Sequence, residues 1–321
     1  MACEGGVYLG HDLGAFDARR LKQLDRIMRL SLLLMIVLTY LGLGWRNCQI
    51  EIGSWAPYVW VAVFFVAVAL CFNHIQPNPH LGAVTALIGE AMITPLATIP
   101  FTYAATAFGG DEKTSLIASL DRWMGFEWLA YREFITGSPI LDQIFFIAYH
   151  NFQLQFFAIP LLLLICGRPA QARLTINCFV LGIIAITLGA MIVPTVDAQL
   201  WHGSVAVDAQ GYTGLNRIDH LLMLRNGSMT TLQLWNMTGI VCFPSFHAVA
   251  ACLFAGFSTA LGPARFSFLG LNALMLAATP LHGGHYLVDV LAGIAIGLGL
   301  IAAALAYTRR RPEAEAIASL P

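Results

Sequence analysis

The sequence predicts an all-α integral membrane protein of about eight transmembrane helices, and three observations carry that prediction. Of its 321 residues, 58% are hydrophobic and only 11% are charged, with a mean hydropathy of +0.72. A soluble domain carries about a quarter charged residues, so much of this surface must face lipid. The apolar residues run in unbroken stretches rather than alternating, which favours spanning helices over a lipid-facing barrel. Eight stretches reach or approach the roughly 20 residues that one span needs. A net charge of −1 offers no general attraction to nucleic acid.

In chain order the predicted spans are 28–45, 56–73, 82–104, 140–166, 174–194, 241–260, 266–281 and 287–307, the seventh being the shortest. The polar N-terminal residues show no signal-peptide pattern. With the N-terminus in the cytoplasm, the cytoplasmic segments collect eleven of the 17 Lys and Arg residues, from Arg19 to the Arg309–Arg311 run, and the outer segments six. That bias is the positive-inside pattern, and it places both termini in the cytoplasm. The chain then divides into residues 1–75, a cytoplasmic segment with two accessory spans, the main membrane domain over 82–307, and a tail over 308–321.

Two outer segments are long. Residues 105–139 place Ile117, Leu120, Met124, Trp128, Tyr131 and Ile135 at helical spacing. They predict either an amphipathic helix anchored in the outer interface by Trp123 and Trp128 or a helix packed over the bundle. Residues 195–240 hold Trp201, His202, Arg217, His220 and Arg225, and a polar loop of that length in a compact bundle is seldom idle. Within the spans, Glu90, His150, Asn151, Gln153 and Gln155 are expected to bond helices together. The cysteines show no zinc-ligand spacing, and whether Cys48 and Cys242 pair is left open.

Five of the nine histidines lie between residues 202 and 285, all at outer helix ends or in outer loops of this threading. Cys242-Phe243-Pro244-Ser245-Phe246-His247 opens the sixth predicted span. Pro244 suits a first helical turn, where its missing N–H costs nothing, and the free N–H groups of such a turn can cradle a phosphate. Ser245 adds a hydroxyl, and His247 projects from the same turn. His282-Gly283-Gly284-His285-Tyr286-Leu287-Val288-Asp289 opens the last span. His285 and Asp289, four residues apart, share one helix face. A carboxylate beside an imidazole fixes its tautomer, and the opposite nitrogen is free to attack phosphorus or move a proton. Gly283 and Gly284 remove side chains where a headgroup would approach. The plain alternatives are a Pro-Ser helix start and a capping Asp–His pair, but ionisable groups at membrane depth are costly and usually functional.

Together the two motifs resemble the signatures of the type 2 phosphatidic acid phosphatase (PAP2) superfamily, Pro-Ser-x-His and His-x-x-x-Asp. Their wording, with Asp121-Arg122-Trp123-Met124-Gly125-Phe126-Glu127-Trp128 upstream, is most similar to the branch containing fungal inositol phosphorylceramide synthase and its bacterial relatives. The resemblance implies a six-helix core with its site on the outer face. It also implies a lipid phosphate ester as substrate, and no cofactor or metal. His285 would be the phosphoryl-accepting nucleophile, Asp289 its orienting partner and His247 the general acid and base. The family's Lys-x₆-Arg-Pro is missing, and Ala278 and Thr279 stand where Ser-Arg is expected. Arg225 is therefore the first candidate for a phosphate clamp and Arg217 the second, with His220, Ser245 and Gly284 lining the pocket.

Water as acceptor would make the protein a lipid phosphatase, and an alcohol would make it a headgroup transferase; the residues do not separate the two. A rival from another class is a histidine-gated transporter or channel. It would spread ionisable residues along a path through the bilayer, whereas here they gather at one surface. Short loops and compact termini fit a bacterial inner membrane, with the site on the periplasmic side.

Overall fold

The computed structural model describes residues 16–203, 214–237 and 239–309. Helix α1 (Ala18–Trp45) starts at Asp17, whose carboxylate accepts from the Arg19 and Arg20 N–H groups. A side-chain oxygen at this position satisfies donors that a helix start otherwise leaves bare. Helices α2 (Ile52–His74) and α3 (Pro79–Thr106) follow, the latter opened by Asn78 and by proline at its first turn. Next come α4 (Thr114–Trp123), α5 (Trp128–Thr136), α6 (Pro139–His150), α7 (Phe152–Ile165) and α8 (Pro169–Ile192). The chain continues through α9 (Ala198–Trp201), α10 (Gly214–Asn226), α11 (Phe246–Ser258), α12 (Arg265–His282) and α13 (Leu287–Thr308). A short parallel pairing of β1 (Gln49–Ile50) with β2 (Thr231–Leu232) ties the turn after α1 to the segment after α10.

Among the described residues, six helices are long and apolar enough to cross a membrane: α1, α2, α3, α8, α12 with its leading turn, and α13. Helices α6 and α7 make a seventh candidate if they count as one span. They meet at Asn151 with a bend of 51°, so the predicted unbroken span over 140–166 is in fact two pieces. The predicted span over 241–260 forms a helix of only 13 residues. At 1.5 Å per residue that is about 20 Å, against a hydrocarbon core of about 30 Å. Its start is set by Ser245, which caps α11; Pro244 therefore stands before the cap and outside the first turn.

Helix α11 does not meet lipid along most of its length. It packs against α13, α12, α8 and α7, and Ala248 through Phe254 are all buried. Small residues on its neighbours allow that approach. A Cβ at Gly297 of α13 would stand 2.7 Å from the Cys252 Cβ, and one at Gly293 would collide with the Ser245 carbonyl oxygen. Close helix contacts through small residues are the usual substitute for hydrophobic driving force inside lipid. Around α11 lies the largest apolar cluster, including Phe156, Ile159, Leu174, Ile176 and Phe254.

The amphipathic segment over 105–139 proves to be two helices, α4 and α5, separated by a turn with Gly125 at φ +77°. The two tryptophans have different roles. Trp123 is 84% exposed and free to sit in an interface, but Trp128 is 2% exposed and donates its indole N–H to the Pro280 carbonyl at 3.1 Å. Trp128 is therefore part of the bundle and not an anchor. Cys48 and Cys242 are both free thiols. Glu90 accepts from Arg29 at 2.9 Å and Arg173 at 2.5 Å, and Asn272 donates to Gln155 at 2.8 Å, so both polar groups join helices.

Candidate active site

The first turns of α11 and α13 lie side by side at one end of the bundle. The Ser245 N–H donates to the Asp289 carbonyl oxygen at 3.0 Å, which fixes the two helix starts against each other. Ser245 is fully buried, and its hydroxyl oxygen accepts from the Ala248 N–H at 3.4 Å. The hydroxyl is thus first of all a helix cap. Residue 247 projects from the next turn position. Its imidazole stacks on the Tyr149 ring, with centroids 4.0 Å apart and planes inclined by 17°. The Tyr149 hydroxyl lies 3.2 Å from His247 Nδ1, and Phe152 covers another side at 4.8 Å.

His285 and Asp289 meet across the start of α13. His285 Nδ1 lies 3.3 Å from Asp289 Oδ2, with His285 4% exposed and Asp289 completely buried. This geometry presents the opposite nitrogen, Nε2, away from the carboxylate. Asp289 Oδ2 accepts two more donors, the Tyr286 N–H at 2.9 Å and the Cys242 thiol at 3.3 Å. The other oxygen, Oδ1, is buried with no hydrogen-bond partner among the described residues. Tyr149 stands between the two motifs. Tyr149 stacks on His247, and its Cε2 stands 3.1 Å from where a Cβ on Gly283 would be; the same Cβ would be 2.6 Å from His285 Cδ2.

The glycines before His285 are required by protein contacts. Gly284 has φ +66°, and a Cβ there would collide with the Asp197 carboxylate. Both features exclude larger residues. The space that Gly283 and Gly284 leave open is therefore filled by Tyr149, His285 and Asp197, not reserved for a headgroup. The Gly284 carbonyl accepts from the Ala198 N–H at 2.8 Å, which links α9 to the site.

Arg225, near the end of α10, reaches the same region. It borders a small space with Thr106, Pro194, Thr195, Cys242 and Phe243. Its Nε donates to the Thr106 carbonyl at 3.4 Å, and Nη2 is buried without a partner among the described residues. Burial, and then the nearby Arg46 charge, lower its pKa from the ordinary value. A second small space borders Asp197, Cys242 and Gly283. These spaces are about 10 and 20 Å³, each roughly the room of one water. His220 is placed elsewhere. It faces the Tyr103 hydroxyl at 2.9 Å and lines a separate cavity of about 280 Å³ with Ser228, Thr230 and Gln233. Arg217 is on α10, and its side chain lies outside the described residues.

Among the described residues, Cys242, His285 and Asp289 each bring one possible ligand atom within 4.8 Å of the other two, a set that a metal ion could use. A thiol must lose its proton to bind a metal, and this thiol points its proton at Asp289. The three groups fit a hydrogen-bonded set centred on one carboxylate oxygen better than a ligand set.

The PAP2 superfamily model matches residues 115–303. The chain belongs to the PAP2 superfamily. No curated protein and no solved structure gives a match. The matched stretch begins inside α4 and ends inside α13, so it takes in both helix starts and leaves α1, α2 and α3 outside. As a PAP2 protein, the chain is of the membrane phosphatase type, a family that typically holds phosphatases and phosphotransferases.

Sequence reasoning missed several neighbours of the site. Tyr149 sits beside His150, a residue expected to bond helices together; His150 is instead exposed and pairs with the Phe146 carbonyl one turn back. Asp197 carried no motif. Asp142 reaches His282 at 3.2 Å from the first turn of α6. A helical wheel signals none of the contacts made by Tyr149, Asp197 and Asp142, because each joins residues on different helices.

Proposed function

We propose that the protein is a membrane enzyme that cleaves a lipid phosphate ester through a phosphohistidine, with Nε2 of His285 as the nucleophile. The observation that carries this is the buried His285–Asp289 pair, 3.3 Å apart, set beside the start of α11. Asp289 holds the His285 ring in the tautomer whose Nε2 lone pair is free. As Nε2 bonds to phosphorus, the bond to the lipid oxygen breaks, and His247 gives that oxygen a proton. In the second half His247 takes a proton from the acceptor hydroxyl, the acceptor oxygen bonds to phosphorus, and the N–P bond breaks. Splitting one displacement into two is the benefit of a covalent intermediate. The partly buried Arg225 guanidinium supplies charge to the phosphoryl oxygens, with Arg217, on the same helix, as a second candidate.

Water or an alcohol can serve as acceptor in this scheme. The upstream Asp121–Trp128 segment and the wording of both motifs favour transfer to an alcohol, as in the inositol phosphorylceramide synthase branch. Eight crossings, with α6 and α7 as one and α11 as another, bring the starts of α11 and α13 to the same outer face. The Ser245–Asp289 backbone bond fits that parity, and both termini then lie in the cytoplasm. A bacterial inner membrane, with the site toward the periplasm, suits this arrangement.

A panel of lipid phosphates in detergent micelles, with and without alcohol acceptors, tests the proposal when scored for both free phosphate and transfer products. Vanadate, which takes up five-coordinate geometry, should inhibit. Wild-type turnover in His285→Ala would remove the nucleophile assignment.

A further inference from the structure

Helix α13 carries Asp289 in its first turn, and its leading N–H groups need acceptors. A helix start leaves about four such donors without intrahelical partners. Two carboxylates divide this work. Asp289 Oδ2 takes the Tyr286 N–H at 2.9 Å, and Asp121 takes the next two, with Oδ2 on the Leu287 N–H and Oδ1 on the Val288 N–H, both at 2.9 Å. Asp121 comes from α4, far away in sequence, and is 3% exposed. An anion at this end of a helix is also favoured by the macrodipole. Burial raises the Asp121 pKa above the ordinary carboxylate value, and the two backbone N–H groups oppose that.

This division matters to Asp289 because its Oδ1 is buried and unpartnered among the described residues. Were Asp121 absent, the Leu287 and Val288 N–H groups would lose their acceptors in the same helix turn that carries Asp289 and its unfilled Oδ1. A buried donor without an acceptor is costly, so the Asp289 carboxylate would turn toward them. Turning it moves Oδ2 away from His285 Nδ1, already a long contact at 3.3 Å. We propose that Asp121 is a positioning residue: by holding the Leu287 and Val288 N–H groups, it keeps Asp289 committed to His285. This rests on the assignment of His285 as the nucleophile. The Asp121–Trp128 segment, distinctive in its wording, thereby acquires a physical role, since α4 sets the alignment of the pair at the start of α13.

The test is a double-mutant cycle on the full chain in micelles, with Asp121→Asn, Asp289→Asn, the double variant, Asp121→Glu and a His285→Ala control. An amide at 121 offers one acceptor and turns an NH₂ toward a backbone N–H. Asp121→Asn should lower kcat about 10- to 100-fold, the range seen for groups that orient a working ligand from behind, with KM within about twofold. Asp121→Glu should recover part of that loss. In the Asp289→Asn background, single-turnover rates should change less than about twofold on adding Asp121→Asn, because the group through which Asp121 acts is already gone. Equal fold losses in both backgrounds, or an unchanged kcat in Asp121→Asn, would overturn the proposal. Should Asp121→Asn fail to fold, Asp121→Glu decides: lowered kcat at constant KM supports the role, and wild-type kcat ends it. Activity that survives His285→Ala would instead remove the nucleophile assignment itself.

Discussion

The two carboxylates Glu90 and Asp289 both lie within helices of this bundle, yet they are treated in opposite ways. Glu90 is held by two arginines, Arg29 at 2.9 Å and Arg173 at 2.5 Å, one on each of its oxygens. Asp289 has three donors on one oxygen (an imidazole, a thiol and an amide N–H) and none among the described residues on the other. Around it, Arg225 Nη2 and the Tyr286 hydroxyl are also buried without partners among the described residues. Unfilled polar atoms are not confined to this end of the bundle, since Gln155 Nε2 and Asn272 Oδ1 are also buried without partners among the described residues, so the contrast lies in the kind of donor that each carboxylate holds. Glu90 has a cation on each oxygen and joins three helices. Asp289 instead directs one oxygen at the His285 imidazole, the contact through which the proposed mechanism aims Nε2 at phosphorus.

The sharpest way to break this contrast is to remove the nucleophile. His285→Ala should lower lipid phosphate turnover about 10³-fold or more, as with the loss of other covalent nucleophiles. The protein should still elute as a folded species in detergent. Asp289→Asn should cost about 10²- to 10⁴-fold, because the wrong tautomer is then favoured. Equal turnover in either variant and wild type would erase the distinction between the two carboxylates.

Arg225→Ala comes next. Loss of a cation aimed at developing charge should lower kcat/KM about 10²-fold, with most phosphate-binding ability lost as well. Arg225→Lys should restore it only in part, since an ammonium lacks the planar fork. On the other side, Glu90→Gln should leave kcat within about twofold while costing about 1–3 kcal/mol of stability, read as a lower melting midpoint in detergent. A large kcat loss at Glu90 would mean that the two carboxylates are coupled and not separate in function.

The smallest effect concerns His202, which stacks on Trp128 with centroids 5.4 Å apart. Burial, and then the Arg122 charge, lower its pKa from the ordinary value. A lowered imidazole is neutral in the folded protein at a pH where the unfolded chain already binds a proton. Stability should therefore fall as pH drops through the ordinary histidine range. His202→Phe keeps the stack and should flatten that part of the melting profile. A profile unchanged by the substitution would remove His202 as its source.

Helical spacing made much of this legible. The four-residue step from His285 to Asp289 required them to share a face, and the coordinates bring them to 3.3 Å. Apolar run length found the long helices, but at 241–260 it set the helix start too early, since Ser245 caps α11 there and α11 gains burial from its neighbours. Run length reports apolarity, and a short helix wrapped by others is as apolar as one facing lipid. Trp128 failed as an anchor for a similar reason, since amphipathic spacing does not say whether the apolar face meets lipid or protein. Asp121, Tyr149 and Asp197 reach the site from α4, α6 and the turn before α9. Only the tertiary fold brings them there, so no local pattern could have assigned them.

The most direct test of the central claim is to trap the covalent intermediate. Wild-type protein mixed with a lipid carrying ³²P in its phosphate, then quenched in denaturant at alkaline pH where phosphohistidine survives, should carry label on the peptide containing His285. That label should be absent from His285→Ala. Label that persists in His285→Ala, or wild-type turnover with no labelled protein at any time point, would contradict the account.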